Sequence, residues 1–493
     1  MSQTKGLSRQ LGLTGLVATG ICSMLGASVY VVPIMIQRNV PGIGPNVLPA
    51  FLFAALPAIL AAFAYAQLSS AMPKTGGSYI YASRGLNPYL GFIASFSQWF
   101  GLSIAIGVIS YIIIPFLRDI ALAMDWVQLG QYLDQGGIRV FLAIAMLWLF
   151  VGININGLKL YERTLIPLMI LMFGLGFIVI IAGLLHNHQD FAQALMEKEN
   201  RTIPDMDGSF KFSTFLAAAA LLFSSFIGFD SIAQAGGEAK NPKRTLPLAI
   251  LIAVFGVGTY YFLFTSAVYH TVPWSFIAEE AADKDLSAPG LMAYVLSPAW
   301  AVAIIAGAAI ALINDLPAML LSVSRLMFSW AEDGIFPKGI AKIHPKKHTP
   351  VVALILSGVM ATIGILGSHF AGDFFLGIDI MVTSMLVNFL LMCITVLSLP
   401  KHNPEIAKQM RLIESPVVRN TLAILGSLLL LLFLVVHLIK DFQANLEAWY
   451  FHSTPIWLIV MSIASIIYFW KTHQLKQSGK DLNALFKNLP ESE

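Results

Sequence analysis

Long apolar stretches follow one another along this chain, separated by short polar connections that often carry Pro or Gly. A bilayer span needs about 20 mostly apolar residues. Twelve segments meet that requirement: 13–36, 48–71, 90–117, 138–157, 164–185, 212–235, 247–270, 299–328, 350–368, 374–399, 418–439 and 455–470. Hydrocarbon offers no water to backbone N–H and C=O groups, so only structures that satisfy their own backbone cross it, and apolar runs of this length select helices. The expected fold class is an all-α polytopic membrane protein. Composition supports this at one point: 12% of the 493 residues are charged, against about 25% in a soluble domain. Lys5 and Arg9 ahead of the first stretch imitate a signal peptide. No small-residue cleavage site ends that stretch and many spans follow, so it reads as a retained helix.

Orientation follows from Lys and Arg. With both termini on one side, 22 of the 30 Lys and Arg residues fall on that side. The expectation is a multi-pass protein of the cytoplasmic (inner) membrane, with both termini cytoplasmic and an even number of spans. No basic block suggests nucleic acid. Cys22 and Cys393 lie far apart in apolar segments and imply neither a disulfide framework nor a metal site. His186 and His188 lack a third ligand at convincing spacing and read as an external loop. No nucleophile–base pair, metal cluster or phosphate loop appears, so neither an enzyme nor a cofactor is expected.

Two spans carry small-residue patches near their middles: Gly20 to Tyr30 with Gly26, Ala27 and Ser28 in the first, and Phe223 to Ser231 with Gly228 in the sixth. Small residues let helices pack closely. Interrupted helices at matching places in two halves, here five spans apart, point instead to a transport site. Half-helix N-termini there bind a carboxylate, and freed carbonyls bind an ammonium or a cation. Gly26 is the residue expected to permit unwinding and close backbone approach.

Four ordered motifs carry a family resemblance. They are Gly26-Ala27-Ser28-Val29-Tyr30; Pro73 to Tyr79 with Gly76 and Gly77; Phe226 to Asp230 followed by Glu238 to Arg244; and Ser324-Arg325 with Glu332 to Pro337, His344-Pro345 and Thr349-Pro350. With them the chain resembles the amino acid–polyamine–organocation superfamily of permeases, closest in pattern to its bacterial and cationic-amino-acid branches. The resemblance implies a five-plus-five inverted repeat (residues 13–185 and 212–399) plus two C-terminal helices (418–470), with tails at 1–12 and 472–493. It also implies a secondary transporter, symporter or antiporter, of amino acids or related amines. The substrate carboxylate would meet the amides of Ala27 and Ser28. Its ammonium would meet carbonyls near Met24, Ser224 and Ile227, and Met319 would supply a side-chain contact. Three positions depart from the family. Ser28 replaces a glycine. Ser224 stands where an aromatic often gates the outer path, leaving Phe223 or Phe226 as gate. The fifth helix has no Lys, and Met172 lies near its place.

Asp230, Asp315 and Asp379 lie in apolar stretches, at an insertion cost of about 2.5–3.5 kcal/mol each. Asp315 and Asp230 are therefore the candidates for coupling to a proton or sodium ion, Asp315 against a packing role hydrogen-bonded to Asn314. Asp379 is close enough to a span boundary to lie near the outer surface. Two other functions fit the fold: an inorganic-ion transporter, and a membrane sensor that binds an amino acid without moving it.

Overall fold

The computed structural model of the chain describes residues 7–371, 375–444 and 448–490, with the side chains of Ala27, Ser28, Ala371 and Phe375 outside that description. Among the described residues eleven helices are long and apolar enough to cross a membrane. They are Val47–Ala71, Pro88–Ala123, Gly136–Ile155, Leu158–Leu185, the interrupted Phe212–Gln234, Pro242–Thr271, Pro298–Glu332, Val351–Ala371, Phe375–His402, Pro416–Gln443 and Ser453–Gln477. The segment expected as the first span comes in three pieces, Leu13–Met24, Ala27–Tyr30 and Val32–Asn39, none long enough to cross alone. Counting it as one interrupted span gives the twelve segments of the sequence, numbered in chain order below.

Local chemistry accounts for the ends. Asn87 caps the third span, its side chain accepting from Tyr89 N at 2.9 Å and Leu90 N at 3.2 Å, with Pro88 at the first helical position. Pro33 near the start of Val32–Asn39 has no N–H to continue the preceding turn, so the chain steps at Val31. Between the second and third spans, Gly77–Gly85 forms a helix too short and polar to cross. It re-enters against the third and tenth spans.

The spans pack in two groups. The first, second, sixth and seventh contact one another in a ring, and the third, fourth, eighth and ninth do likewise. Members of each group are paired five spans apart. The most apolar stretches of the third and eighth spans are 78% buried, while those of the fourth, fifth, eleventh and twelfth are 28% buried. The third and eighth spans are thus central, and the other four face outward, as an apolar surface in lipid requires. Asp379 lies in the first turns of the tenth span and is partly exposed, in keeping with its expected place near a surface.

Candidate functional site

The two breaks meet. In the first span the last helical hydrogen bond is Leu25 N to Ile21 O at 2.9 Å, after which Leu25 leaves helical geometry at φ −92°, ψ 70°. In the sixth, Phe223–Phe226 tightens to a 3₁₀ turn, Ile227 is extended and Gly228 takes φ +133°. That positive φ strains any residue with a Cβ. Gly228 is also where the chains touch: a Cβ there would lie 2.1 Å from the Ser23 carbonyl oxygen and 2.8 Å from Met24 N. Beside this crossing the Ser23 and Ser231 hydroxyls bond at 2.8 Å. The Tyr261 hydroxyl of the seventh span donates to the Met24 carbonyl. The Ile227 carbonyl accepts no hydrogen bond among the described residues.

Gly26 provides the second close approach. A Cβ there would lie 1.7 Å from Oδ2 of Asp315, so the eighth-span carboxylate rests directly on the broken first helix. Asp315 is 4% exposed, and its Oδ1 is buried without a hydrogen-bond partner. Asn314, the neighbour considered as its partner, instead donates to Cys22 Sγ at 3.0 Å and to the Leu165 carbonyl at 3.2 Å. Met319 and Ser322 follow Asp315 at helical spacing on one face. Both are buried, and the Ser322 hydroxyl has no partner.

Asp230 has different surroundings. It is fully buried, accepts from Gln98 Nε2 of the third span, and accepts from Gly228 N at 3.2 Å. Gln98 Oε1 in turn accepts from Ser78 at 2.6 Å and from Gln234 Nε2 at 3.2 Å, and Tyr65 and Asn388 extend the network at 2.7 Å each. Sequence reasoning missed these partners, because polar residues spread over five elements acquire a common address only on folding.

Of the other residues expected at the site, Ser224 is buried with an unpartnered hydroxyl. Its carbonyl already accepts from Ile227 N at 3.2 Å. Phe223 sits between Phe389 and Phe433 of the tenth and eleventh spans, with ring centroids 6.0 and 6.1 Å away. Phe226 packs on Phe51 and Tyr261 of the second and seventh spans at 5.2 and 5.9 Å. The side chains of Ala27 and Ser28 lie outside the described residues; their backbone opens the short helix Ala27–Tyr30 just past the break. Met172 is buried on the fifth span.

On the Lys/Arg-rich face the structure places two buried ion pairs that the sequence did not foretell. Arg325 grips Glu238 with Nη2 at 2.6 Å and Nε at 3.0 Å, joining the eighth span to the end of the sixth. Arg84 grips Asp333 at 2.6 and 2.9 Å, with the Tyr79 hydroxyl donating to the same carboxylate at 2.6 Å. Both arginines belong to the 22 Lys and Arg residues of this face, and the structure makes them buried, bidentate partners. Backbone bonds reinforce this closure: Leu11 N to Glu238 O at 2.9 Å, Lys240 N to Leu11 O at 2.8 Å and Gly76 N to Gln234 O at 3.1 Å.

A family model described as amino acid permease matches residues 11–465. Cationic amino acid transporter 4 of Mus musculus is 28% identical over 374 residues, 73% of this chain and 55% of that protein. The branched-chain amino acid permease BcaP of Bacillus subtilis (strain 168) is 25% identical over 492 residues, 97% of this chain and 96% of that permease. The low-affinity putrescine importer PlaP of Escherichia coli (strain K12) is 24% identical over 344 residues, 69% of each. The chain therefore spans about 55% of the length of the mouse transporter but nearly all of the Bacillus permease.

Proposed function

The chain belongs to the amino acid permease family, and on that premise we propose that it moves amino acids or related amines across the cytoplasmic membrane by alternating access, coupled to a cation. The crossing of the two breaks beside Asp315 carries this reading. Substrate carboxylate binds the amides at Ala27 and Ser28. Substrate ammonium takes the Ile227 carbonyl, with Ser224 and Met24 nearby. The Met24 carbonyl already receives the Tyr261 hydroxyl, which leaves it one remaining lone pair and a secondary part. Met319, one turn beyond Asp315, faces the substrate side chain. Phe223, wedged between the tenth and eleventh spans, is the better placed gate; Phe226 is held by the second and seventh. Both termini are cytoplasmic on the Lys/Arg count. The relatives named above are transporters, in keeping with a chain that carries cargo and performs no covalent chemistry.

For coupling, Asp315 is favoured over Asp230. Asp230 has two donors, while Asp315 has an unpartnered buried oxygen beside loosened backbone. A buried carboxylate so placed is costly as an anion until a proton or metal cation joins it. Filling it would steady the eighth span against the first and so favour substrate binding, which is linkage between two sites.

The test is accumulation by purified protein in liposomes, with proton and sodium gradients imposed separately, for wild type and Asp315→Asn. The variant should retain counterflow exchange and lose gradient-driven accumulation by tenfold or more (roughly the 1.4 kcal/mol lower end of allosteric coupling). Accumulation equal to wild type with unchanged ion dependence assigns Asp315 a structural part and moves coupling to Asp230. Uptake of an inorganic ion with no amino acid or amine competing would support the ion-transporter reading instead. Binding of substrate without any flux would support a sensor.

A further inference from the structure

Beyond the twelfth span the chain doubles back against the Lys/Arg-rich face. Asp481 caps a short helix, Leu482–Lys487, accepting from Asn483 N at 2.9 Å and Ala484 N at 3.2 Å. The body holds this tail by its backbone: Asn403 Nδ2 donates to the Lys487 carbonyl at 2.8 Å, and Arg84 Nε donates to the Asn488 carbonyl at 3.3 Å. Phe486 is tucked beneath, its ring centroid 5.5 Å from the Arg84 guanidinium carbon.

Between the tail and the ends of the third, tenth and twelfth spans lies a cavity of about 520 Å³. Two properties define its chemistry. Lys476, Lys487 and His402 line it, and no Asp or Glu does among the described residues. Among the described residues neither lysine ammonium has a hydrogen-bond partner there. Arg84 also lines it, with Nη1 donating to Asp333 and Ser83 and Nη2 donating to Asp333. The opposite wall is apolar and aromatic, including Tyr89 stacked on Phe469 with centroids 4.9 Å apart.

The depth of the cavity is set by its neighbours. Phe469 and Trp470 are each 57% exposed on the twelfth span, and Lys471 Nζ lies 4.4 Å from the Trp470 ring centroid. Exposed aromatics followed by lysines at a span end mark the level where hydrocarbon gives way to headgroups. A ligand that fits must be anionic at one end and apolar at the other, and it must arrive from the membrane. Free phosphate would use the cations and leave the aromatic wall wet. A zwitterionic headgroup brings its own cation to a site that already has several. We propose that this cavity binds the headgroup of an anionic phospholipid, with the tail helix as its outer wall. The lipid phosphate bridges Lys476 of the twelfth span and Lys487 of the tail, and holds the tail over the Arg84–Asp333 pair.

Native mass spectrometry of the full-length protein, released from mixed micelles of phosphatidylglycerol and phosphatidylcholine with matched acyl chains, tests this directly. Wild type should retain phosphatidylglycerol in preference to phosphatidylcholine. Lys476→Gln/Lys487→Gln should weaken that retention about 25-fold, roughly fivefold per cation near a lipid surface. Lys338→Gln/Lys342→Gln, on the same face outside the cavity, should leave it unchanged. Millimolar inorganic phosphate should not displace the lipid. Equal retention by the cavity variant, an equal loss in the control pair, equal retention of phosphatidylcholine, or displacement by inorganic phosphate each overturns the proposal. Both variants alter exposed side chains, and an unchanged melting temperature in neutral detergent certifies that they fold.

Discussion

On the Lys/Arg-rich face, Glu238, Arg325, Arg84 and Asp333 have side-chain exposures of 0, 1, 1 and 4%. On the opposite face Arg38 meets Asp285 at exposures of 31 and 74%, and Arg201 at 34% gathers Glu199, Glu279 and Glu280. Both faces are tied by ion pairs over the same crossed breaks, yet the ties differ physically. A dry bidentate pair contributes little net stability while it is whole, because desolvation offsets its attraction, but is very costly when halved. A solvated pair is screened and contributes little. Under the proposed alternating access the two faces would do unequal work, with a lock on the Lys/Arg-rich face and only a latch on the opposite one. Were that face to open, both partners of each pair would be hydrated at once, and water would compensate much of what the pair gave up. Only the removal of one partner leaves a buried charge with no compensation.

Removing one partner of the lock should have the largest effect. Arg325→Gln should leave Glu238 buried and alone, at a cost of about 3–5 kcal/mol, and bias the protein toward states in which this face is open and Glu238 is wet. The adjoining ladder from Leu11 to Glu238 and Lys240 reports the opening. Amide hydrogen exchange of residues 7–12 and 235–241 should accelerate by about two to nearly four orders of magnitude, as that cost implies. Adding Glu238→Gln should restore much of the protection. Unchanged exchange in the single variant would mean that the pair does not hold this face shut.

The lock was largely invisible in the sequence, and the reason is instructive. Glu238 and Arg325 are 87 residues apart, and Gln98 and Asp230 are 132 apart. Glu238 and Arg325 stood out as motif residues and Asp230 as an acid in an apolar stretch, but their partners did not, because pairing is decided by packing of spans that the sequence does not order in space. Spans were legible because twenty apolar residues in a row carry their own explanation. The breaks at Gly26 and Gly228 were legible because a small residue is needed wherever backbone meets a carboxylate or another backbone. Their crossing at Ser23 was not, since it requires the sixth span to lie on the first. The segment between Gly76-Gly77 and Asn87-Pro88 read as a cytoplasmic re-entrant loop, and its helix Gly77–Gly85 was not legible: nine residues rich in Ser, Tyr and Gly lack apolar length, and its partners form it. Asp315 stood out as a carboxylate in an apolar run. Its contact with Gly26, and the preference of Asn314 for Cys22 and Leu165, are properties of the fold alone.

A milder change grades the lock. Tyr79→Phe removes one hydroxyl from Asp333 and leaves both Arg84 bonds in place. Hydrogen bonds to charged groups contribute about 1.5–3 kcal/mol, and the surviving pair puts this loss at the lower end, roughly 1.5 kcal/mol on that scale. Exchange in the Gly77–Gly85 helix should rise about tenfold, well below the effect of Arg325→Gln. An effect as large as that of Arg325→Gln would mean that the hydroxyl, rather than the guanidinium, carries the closure.

The smallest effect belongs to the latch and should differ in kind as well as size. Burial alone would raise the pKa of Glu280, but hydrogen bonds from Lys284 at 2.6 Å and Arg201 at 2.7 Å outweigh it and hold the carboxyl below the usual glutamate range. A depressed folded-state pKa contributes stability that is present above the unfolded pKa and is lost as pH falls through the folded value. Wild type and Glu280→Gln should therefore differ by a constant amount from neutral pH down toward the ordinary glutamate pKa of about 4.3, and converge below it as wild type becomes protonated. The local readout is hydrogen exchange in Trp274–Asp283, the helix that carries Glu280, corrected for intrinsic exchange at each pH. Because Arg201 and Lys284 are open to solvent, 0.5 M salt should erase most of the difference, with screening lengths then down to about 4–5 Å. The same salt should leave the Arg325→Gln effect intact, since ions do not reach a dry pair. If salt and acid act equally on the two faces, the distinction between lock and latch fails, and both sets of pairs are surface electrostatics of one kind.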